Sequence, residues 1–123
     1  DVEELLSLFE KAKTTENKLT KNDKKNISLV DEYLKEMNIT FGNRIMGQMD
    51  EFVPVYIACG GTKEEAIDYL LTHKILRKLD ERYEPYLITK LDDLEMGLNE
   101  IYGEGKFIQS IKKINKLREK IVG

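Results

Sequence analysis

The stretch TKEEAIDYLLTHKILRKL, residues 62–79, decides the fold class of this chain. Thr62 is followed three residues later by Glu65, which is the capping-box pattern at the start of a helix. Apolar residues then recur at the three- and four-residue spacing of one helix face, and the pattern predicts a helix that continues to about Leu79. The apolar positions are Ala66, Ile67, Leu70, Leu71, Ile75 and Leu76.

Helical spacing also dominates the sequence on both sides of this stretch. It predicts helices over residues 2–12, 28–37 and 43–59, a further helix from Pro85 towards Gly103, and a last one over 106–122. The first of these would bury Val2, Leu5, Leu6 and Phe9, and the 43–59 helix has the broadest apolar face and is expected to be the best buried. Because no run alternates as a strand would, we predict an all-α, compact bundle of five to six helices.

The tract over residues 14–26 lacks such a stripe. Its only bulky apolar residue is Leu19, and it is rich in lysine, so it predicts a mobile surface loop. The chain as a whole is expected to form a single helical domain over residues 1–123, with N-terminal helices in 1–40 and a helical core in 41–123.

Composition and charge exclude several functions. The 123 residues contain 20 Lys plus Arg and 23 Asp plus Glu, and a net charge of −3 gives no general attraction to nucleic acid. No apolar run is long enough to cross a membrane, and no signal peptide is recognisable, so a cytoplasmic location is expected. Since the chain begins with Asp1, we expect it to be a fragment of a larger protein.

Candidate reactive residues are few. Cys59 and His73 are the only cysteine and histidine, which excludes an internal disulfide and argues against a protein-built zinc site, so no metal is expected. Cys59 is interpreted as a core thiol and His73 as a partly exposed helix residue. The Gly105-Lys106 pair is followed by Phe107 and does not complete a phosphate-binding P-loop. The chain therefore carries no complete active site.

Basic residues provide the remaining candidates. The last helix places four lysines outward, which are candidate contacts to DNA or to a partner, although any solvated helix face carries such residues: Lys112, Lys113, Lys116 and Lys120. Arg44 follows the Phe41-Gly42-Asn43 break at the start of the 43–59 helix, where its guanidinium can project from the domain edge. From the residues alone, Arg44 is interpreted either as half of a surface salt bridge or as a contact to a partner.

A family resemblance runs from residue 41 to residue 123. The order FGNRI (41–45), IDYLLTHKILRKL (67–79) and SIKKI (110–114) resembles the C-terminal helical lid of McrB-like AAA+ nucleotidases, the motor subunits of modified-cytosine restriction systems. Leu117, Ile121 and Gly123 continue the last part of that pattern. One departure is Arg77, which stands where the family has proline, and residues 1–40 match only loosely.

This resemblance implies an AAA+ lid-like fold and a function. Arg44 would be the sensor-2 arginine, which reaches from the lid to the terminal phosphate of a nucleotide held by an upstream AAA+ core in the same chain. The parent protein would be an ATPase or GTPase that uses magnesium, forms a homo-oligomeric ring and drives a nuclease subunit, contacting DNA indirectly. The isolated chain would bind no cofactor and would be inactive.

Two other functions remain open from the sequence. The chain can be a free-standing helical module that binds a partner helix, in which Arg44 is incidental. Alternatively, it is a helical DNA-binding domain that uses the lysines of the last helix.

Overall fold

The computed structural model describes residues 1–7 and 18–123 of the chain, and all regular structure in these residues is helical. This confirms the predicted all-α class and the predicted compact bundle of five to six helices, of which the described residues form six. Residues 2–7 are helical. The other helices are α1 (Lys21–Lys35), α2 (Gly42–Ala58), α3 (Lys63–Leu70), which continues as a π-helical turn (Leu71–Ile75) and a 3-10 turn (Leu76–Leu79), α4 (Tyr86–Tyr102) and α5 (Ile108–Val122).

A single hydrophobic core lies between these helices. α2 packs against α3, α1 against α4, and α5 against α3, α4 and both turns of the 71–79 segment. Every helix from α1 to α5 contributes to the core, and burial of this apolar surface is the main stabilising term of the fold. The largest fully buried side chains include Ile27, Leu34, Met37, Met49, Leu71, Ile75, Leu76, Leu79, Leu87, Leu91, Leu94 and Leu98.

Helix α1 begins earlier than predicted. The sequence predicted a loop over 14–26 and a helix from 28, but residues 21–26 are helical, so the loop prediction is wrong for them; 14–17 lie outside the described residues. Thr20 and Asp23 form a capping box, in which the Thr20 hydroxyl accepts from the Asp23 N–H (3.0 Å) and the Asp23 carboxylate accepts from the Thr20 N–H (2.7 Å). Lys63 of α3 also pairs with Asp23 at 2.8 Å. Capping therefore replaces the apolar stripe that this turn lacks.

The burial predictions for two helices were wrong. Val2, Leu5 and Leu6 were expected to face the core but are at least half exposed, and Phe9 lies outside the described residues. Helix α2 was expected to be the best-buried helix, yet only Met49, Val53 and Pro54 are fully buried in it, because α2 packs mainly against α3 alone. An apolar periodicity shows that a helix is amphipathic, but it does not show how many neighbours cover it.

The 62–79 stretch is helical from Lys63 to Leu79, as predicted, but it does not form one continuous α-helix. Thr62 and Glu65 form the expected capping box, with 3.0 and 3.1 Å bonds. After Leu70 the backbone forms a π-helical turn and then a 3-10 turn, each of which changes the register of the following residues.

Two further side chains differ from the prediction. Cys59, interpreted as a core thiol, is exposed just after the last turn of α2. Helical spacing over residues 106–122 also predicts that Ile108 points inward. Ile108 is instead exposed, because Phe107 fills the core just before α5 begins. Within residues 1–7 and 18–123, no helix has the length and apolar character needed to cross a bilayer.

Candidate functional site

Arg44 lies in the first turn of α2, at the exposed edge of the bundle. The turn that precedes it is held in place from α1, where the Asp31 carboxylate accepts hydrogen bonds from the Thr40 hydroxyl (2.7 Å) and the Phe41 N–H (2.9 Å). Phe41 is buried, and Gly42 follows at φ +67°, a conformation that glycine adopts without strain. The root of the Arg44 side chain is therefore anchored while its guanidinium faces solvent.

The four arginines of the chain fall into two classes. Arg82 bonds Glu84 and Tyr86, and Arg118 bonds Asp92 and Glu95, so both guanidinium groups are used inside the domain. Over residues 1–7 and 18–123, no hydrogen bond or ion pair joins the side chains of the other two, Arg44 and Arg77, to another residue. The surface salt bridge considered for Arg44 is thus not formed among the described residues.

The motif residues Asp68 and Ser110 meet in the interior. The buried Asp68 carboxylate accepts hydrogen bonds from the Ser110 hydroxyl (2.6 Å), the Ser110 N–H (2.8 Å) and the Gln109 N–H (2.9 Å). Thr72, one turn further along, lies 3.0 Å from the Ser110 hydroxyl. A residue of α3 therefore caps the first turn of α5, where free backbone N–H groups need acceptors.

A groove of about 440 Å³ opens between the 71–79 segment and α5. We call it the basic groove, because four of its side chains are Lys or Arg and only Asp80 is acidic. Its α5 wall is one helix face at i, i+3, i+4 and i+7 spacing, formed by Gln109, Lys112, Lys113 and Lys116. The opposite wall consists of Thr72, His73, Arg77 and Asp80.

The four lysines predicted as contacts are used differently. Lys112 and Lys116 are exposed in the basic groove. Lys113 forms an ion pair with Asp80. Lys120 lies outside the groove and donates to the carbonyl oxygens of Leu79 (2.8 Å) and Asp80 (2.6 Å), with its ammonium 4.4 Å from the centre of the Tyr83 ring. Lys120 therefore caps the C-terminal end of the 71–79 segment by binding the carbonyl oxygens there.

His73 and Arg77 belong to the groove although the sequence did not place them there. His73 is exposed, as expected, and its Nε2 lies 3.1 Å from Gln109 Oε1. The signal available in the sequence was the spacing of His73 and Arg77 on one helix, but only the packing of α5 shows which side chains they face. Arg44 is on α2, which does not pack closely against α5. Arg44 and the lysines of α5 therefore do not belong to one site.

The described residues do not form a metal site. No group of three or more His, Cys, Asp or Glu side chains converges in 1–7 and 18–123. Asp68, the one carboxylate that is buried in the described part of the chain, is occupied by its bonds to α5.

Comparisons with known proteins identify one family. A search of curated proteins and a search of solved structures found no significant match. A family model, described as a domain of unknown function (DUF8727), matches residues 2–122. The chain therefore belongs to the DUF8727 family.

Proposed function

We propose that this chain is the helical lid of a cytoplasmic AAA+ nucleotidase of a DNA restriction or defence system, and that Arg44 is its nucleotide-sensing residue. The observation that carries the proposal is the state of Arg44, whose backbone is anchored and whose guanidinium is exposed without a partner among the described residues. A guanidinium group is always charged and carries several hydrogen-bond donors, so Arg44 in this exposed state is suited to bind a phosphate held by an adjoining domain.

The contacts of the motif residues support the same proposal. Asp68, Ser110 and Lys113 belong to the stretches that resemble McrB-like lids, and each of them makes a contact that joins α5 to α3 or to the segment after it. A lid has to move as one rigid body to transmit the state of the nucleotide, and these contacts fix α5 to α3 and to the 71–79 segment.

In this proposal the lid closes over ATP or GTP and magnesium held by an upstream AAA+ core of the same protein. Arg44 contacts the terminal phosphate and stabilises the charge that develops during phosphoryl transfer. Closure passes to neighbouring subunits of a homo-oligomeric ring, which regulates a nuclease subunit acting on DNA. A free-standing interaction module would need none of these parts.

The test is nucleotide turnover by the full-length protein with Arg44→Ala. We expect turnover to fall at least about tenfold, since removal of an arginine that contacts a transferred phosphoryl group costs orders of magnitude in rate. Arg44→Lys, which keeps the charge but loses the fork, should recover only part of the activity. Lys25→Ala, an exposed cation on α1, is the matched control and should leave turnover unchanged.

Two outcomes would refute the proposal. Unchanged turnover in Arg44→Ala would show that Arg44 is not the sensor. A parent reading frame without a P-loop and an acidic magnesium-binding motif upstream of this domain would exclude the lid and favour the interaction module. The domain by itself should hydrolyse neither ATP nor GTP, because it lacks the phosphate cradle.

A further inference from the structure

We infer that the basic groove between the 71–79 segment and α5 binds the phosphodiester backbone of a nucleic acid. The site is separate from Arg44 and does not depend on the lid proposal. It adds His73 and Arg77 to three of the lysines noted in the sequence, and it excludes Lys120, whose ammonium is bound to backbone carbonyls of the domain.

The charge of the groove contrasts with that of the chain. The chain has a net charge of −3, yet the groove has four cationic side chains and one carboxylate. That carboxylate, Asp80, is paired with Lys113. No described residue pairs with Arg77, Lys112 or Lys116, so three positive charges in one concave surface remain for an anion. A concave surface with one sign of charge concentrates its field on the ligand.

The spacing of the cations suits a polymer. Lys112 and Lys116 are four residues apart on α5, which places them about 6 Å apart along the helix axis and on the same side. Arg77 faces them from the other wall. This arrangement offers a row of charges to successive phosphates of one strand, whereas a single phosphate ion would need all three side chains to converge on one point.

The walls also offer the donor types that contact phosphate groups. Gln109 Oε1 is engaged by His73, which leaves the Gln109 amide NH₂ as a neutral donor beside the cations. The Arg77 guanidinium offers the planar fork that matches phosphate oxygens. Such a mixture of Lys, Arg and neutral donors is typical of phosphate contacts in nucleic-acid complexes.

The groove is held rigidly. Thr72 and His73 lie in the π-helical turn, and each contacts α5, at 3.0 Å to Ser110 and 3.1 Å to Gln109. π-Helical turns are rare and occur frequently at functional sites. Because both walls are fixed by contacts outside the cationic side chains, substitutions of Lys112 and Lys116 should leave the fold intact.

The experiment measures binding of a short, fluorescently labelled single-stranded DNA to the full-length protein by fluorescence anisotropy at low salt. The double variant Lys112→Glu/Lys116→Glu should weaken binding at least about tenfold. The slope of log K against log salt concentration should become shallower by roughly 0.7 for each phosphate contact that is lost. The matched control is Lys21→Glu/Lys25→Glu, which makes the same charge change at the same spacing on exposed α1. The control should change the affinity by less than about twofold.

Competitors define the ligand class. A poly-glutamate peptide of equal charge and inorganic phosphate should each displace the DNA only at much higher concentration. Absence of DNA binding at low salt, an equal loss in the groove and control variants, or equal affinity for poly-glutamate or inorganic phosphate would each overturn the inference. Circular dichroism checks that both variants are folded; if the Glu variant is not, Lys112→Gln/Lys116→Gln replaces it.

Discussion

Asp68 of α3 holds the first turn of α5 through Ser110, whose hydroxyl oxygen lies 2.6 Å from the Asp68 carboxylate. Two backbone N–H groups of that turn also donate to Asp68, at 2.8 and 2.9 Å. Both residues are buried, so water cannot replace these bonds. The pairing joins two segments 42 residues apart in the chain.

The first prediction concerns this contact. Asp68→Ala leaves three donors without their acceptor, two of them buried, and we expect the free energy of unfolding to fall by about 3 kcal/mol. Ser110→Ala should cost less, because the backbone bonds to Asp68 remain. Urea unfolding measures both changes. Asp50→Ala is the control, since its carboxylate is half exposed and 3.8 Å from Lys24, and it should change stability by less than about 0.5 kcal/mol.

The second prediction compares two glycines in helix interiors. A Cβ at Gly97 of α4 would lie 2.5 Å from the Tyr33 ring of α1, so Gly97→Ala should push the helices apart and cost about 1–3 kcal/mol. A Cβ at Gly47 of α2 meets nothing within 4 Å, so Gly47→Ala should stabilise the domain by about 0.5–1 kcal/mol. Thermal unfolding of the two variants should shift in opposite directions, and a shift in the same direction would contradict the packing at Gly97.

The third prediction concerns Tyr102 at the end of α4. Its hydroxyl is buried and has no hydrogen-bond partner among the described residues, while its ring packs against Phe107 with centroids 4.6 Å apart. Burial, with the nearby charges of Asp23 and Glu64, raises the Tyr102 pKa far above its ordinary value. Tyr102→Phe keeps the ring and removes the unpaired hydroxyl, so it should stabilise the domain by about 1 kcal/mol. A loss of stability in urea unfolding would show that the hydroxyl has a partner.

The fourth prediction is a pH dependence that arises from Asp23. Burial raises its pKa, but hydrogen bonds from Lys63 and Thr20 outweigh that effect and lower the pKa below the ordinary value of 3.8. A carboxylate whose folded pKa is depressed stabilises the fold above its unfolded pKa, and that contribution is lost as the pH falls through the folded pKa. The free energy of unfolding should therefore fall more steeply below about pH 4 in the wild type than in Asp23→Asn.

The control for the pH series is Asp50→Asn, whose pH dependence should follow the wild type. Parallel curves for the wild type and Asp23→Asn would contradict the Asp23–Lys63 pairing across α1 and α3.

The sequence by itself determined the fold class and most helix positions. Apolar side chains at helical spacing make each segment amphipathic, and a local signal such as the Thr62–Glu65 capping box marks a helix start because its hydrogen bonds connect residues only three positions apart. Thr20 and Asp23 form a capping box of the same kind, and their three-residue spacing is visible in the sequence. The start of the helix that follows was not predicted there because its first turn lacks apolar residues.

Only the tertiary structure decided which faces are covered and which charged groups meet. The basic groove joins His73 and Arg77 to lysines more than thirty residues away, and Asp80 neutralises one of those lysines while Lys120 is taken up by backbone carbonyls. Periodicity reports the direction in which a side chain leaves its own helix. It contains no information on the neighbouring helix that it meets, because that contact depends on how all the helices share one core.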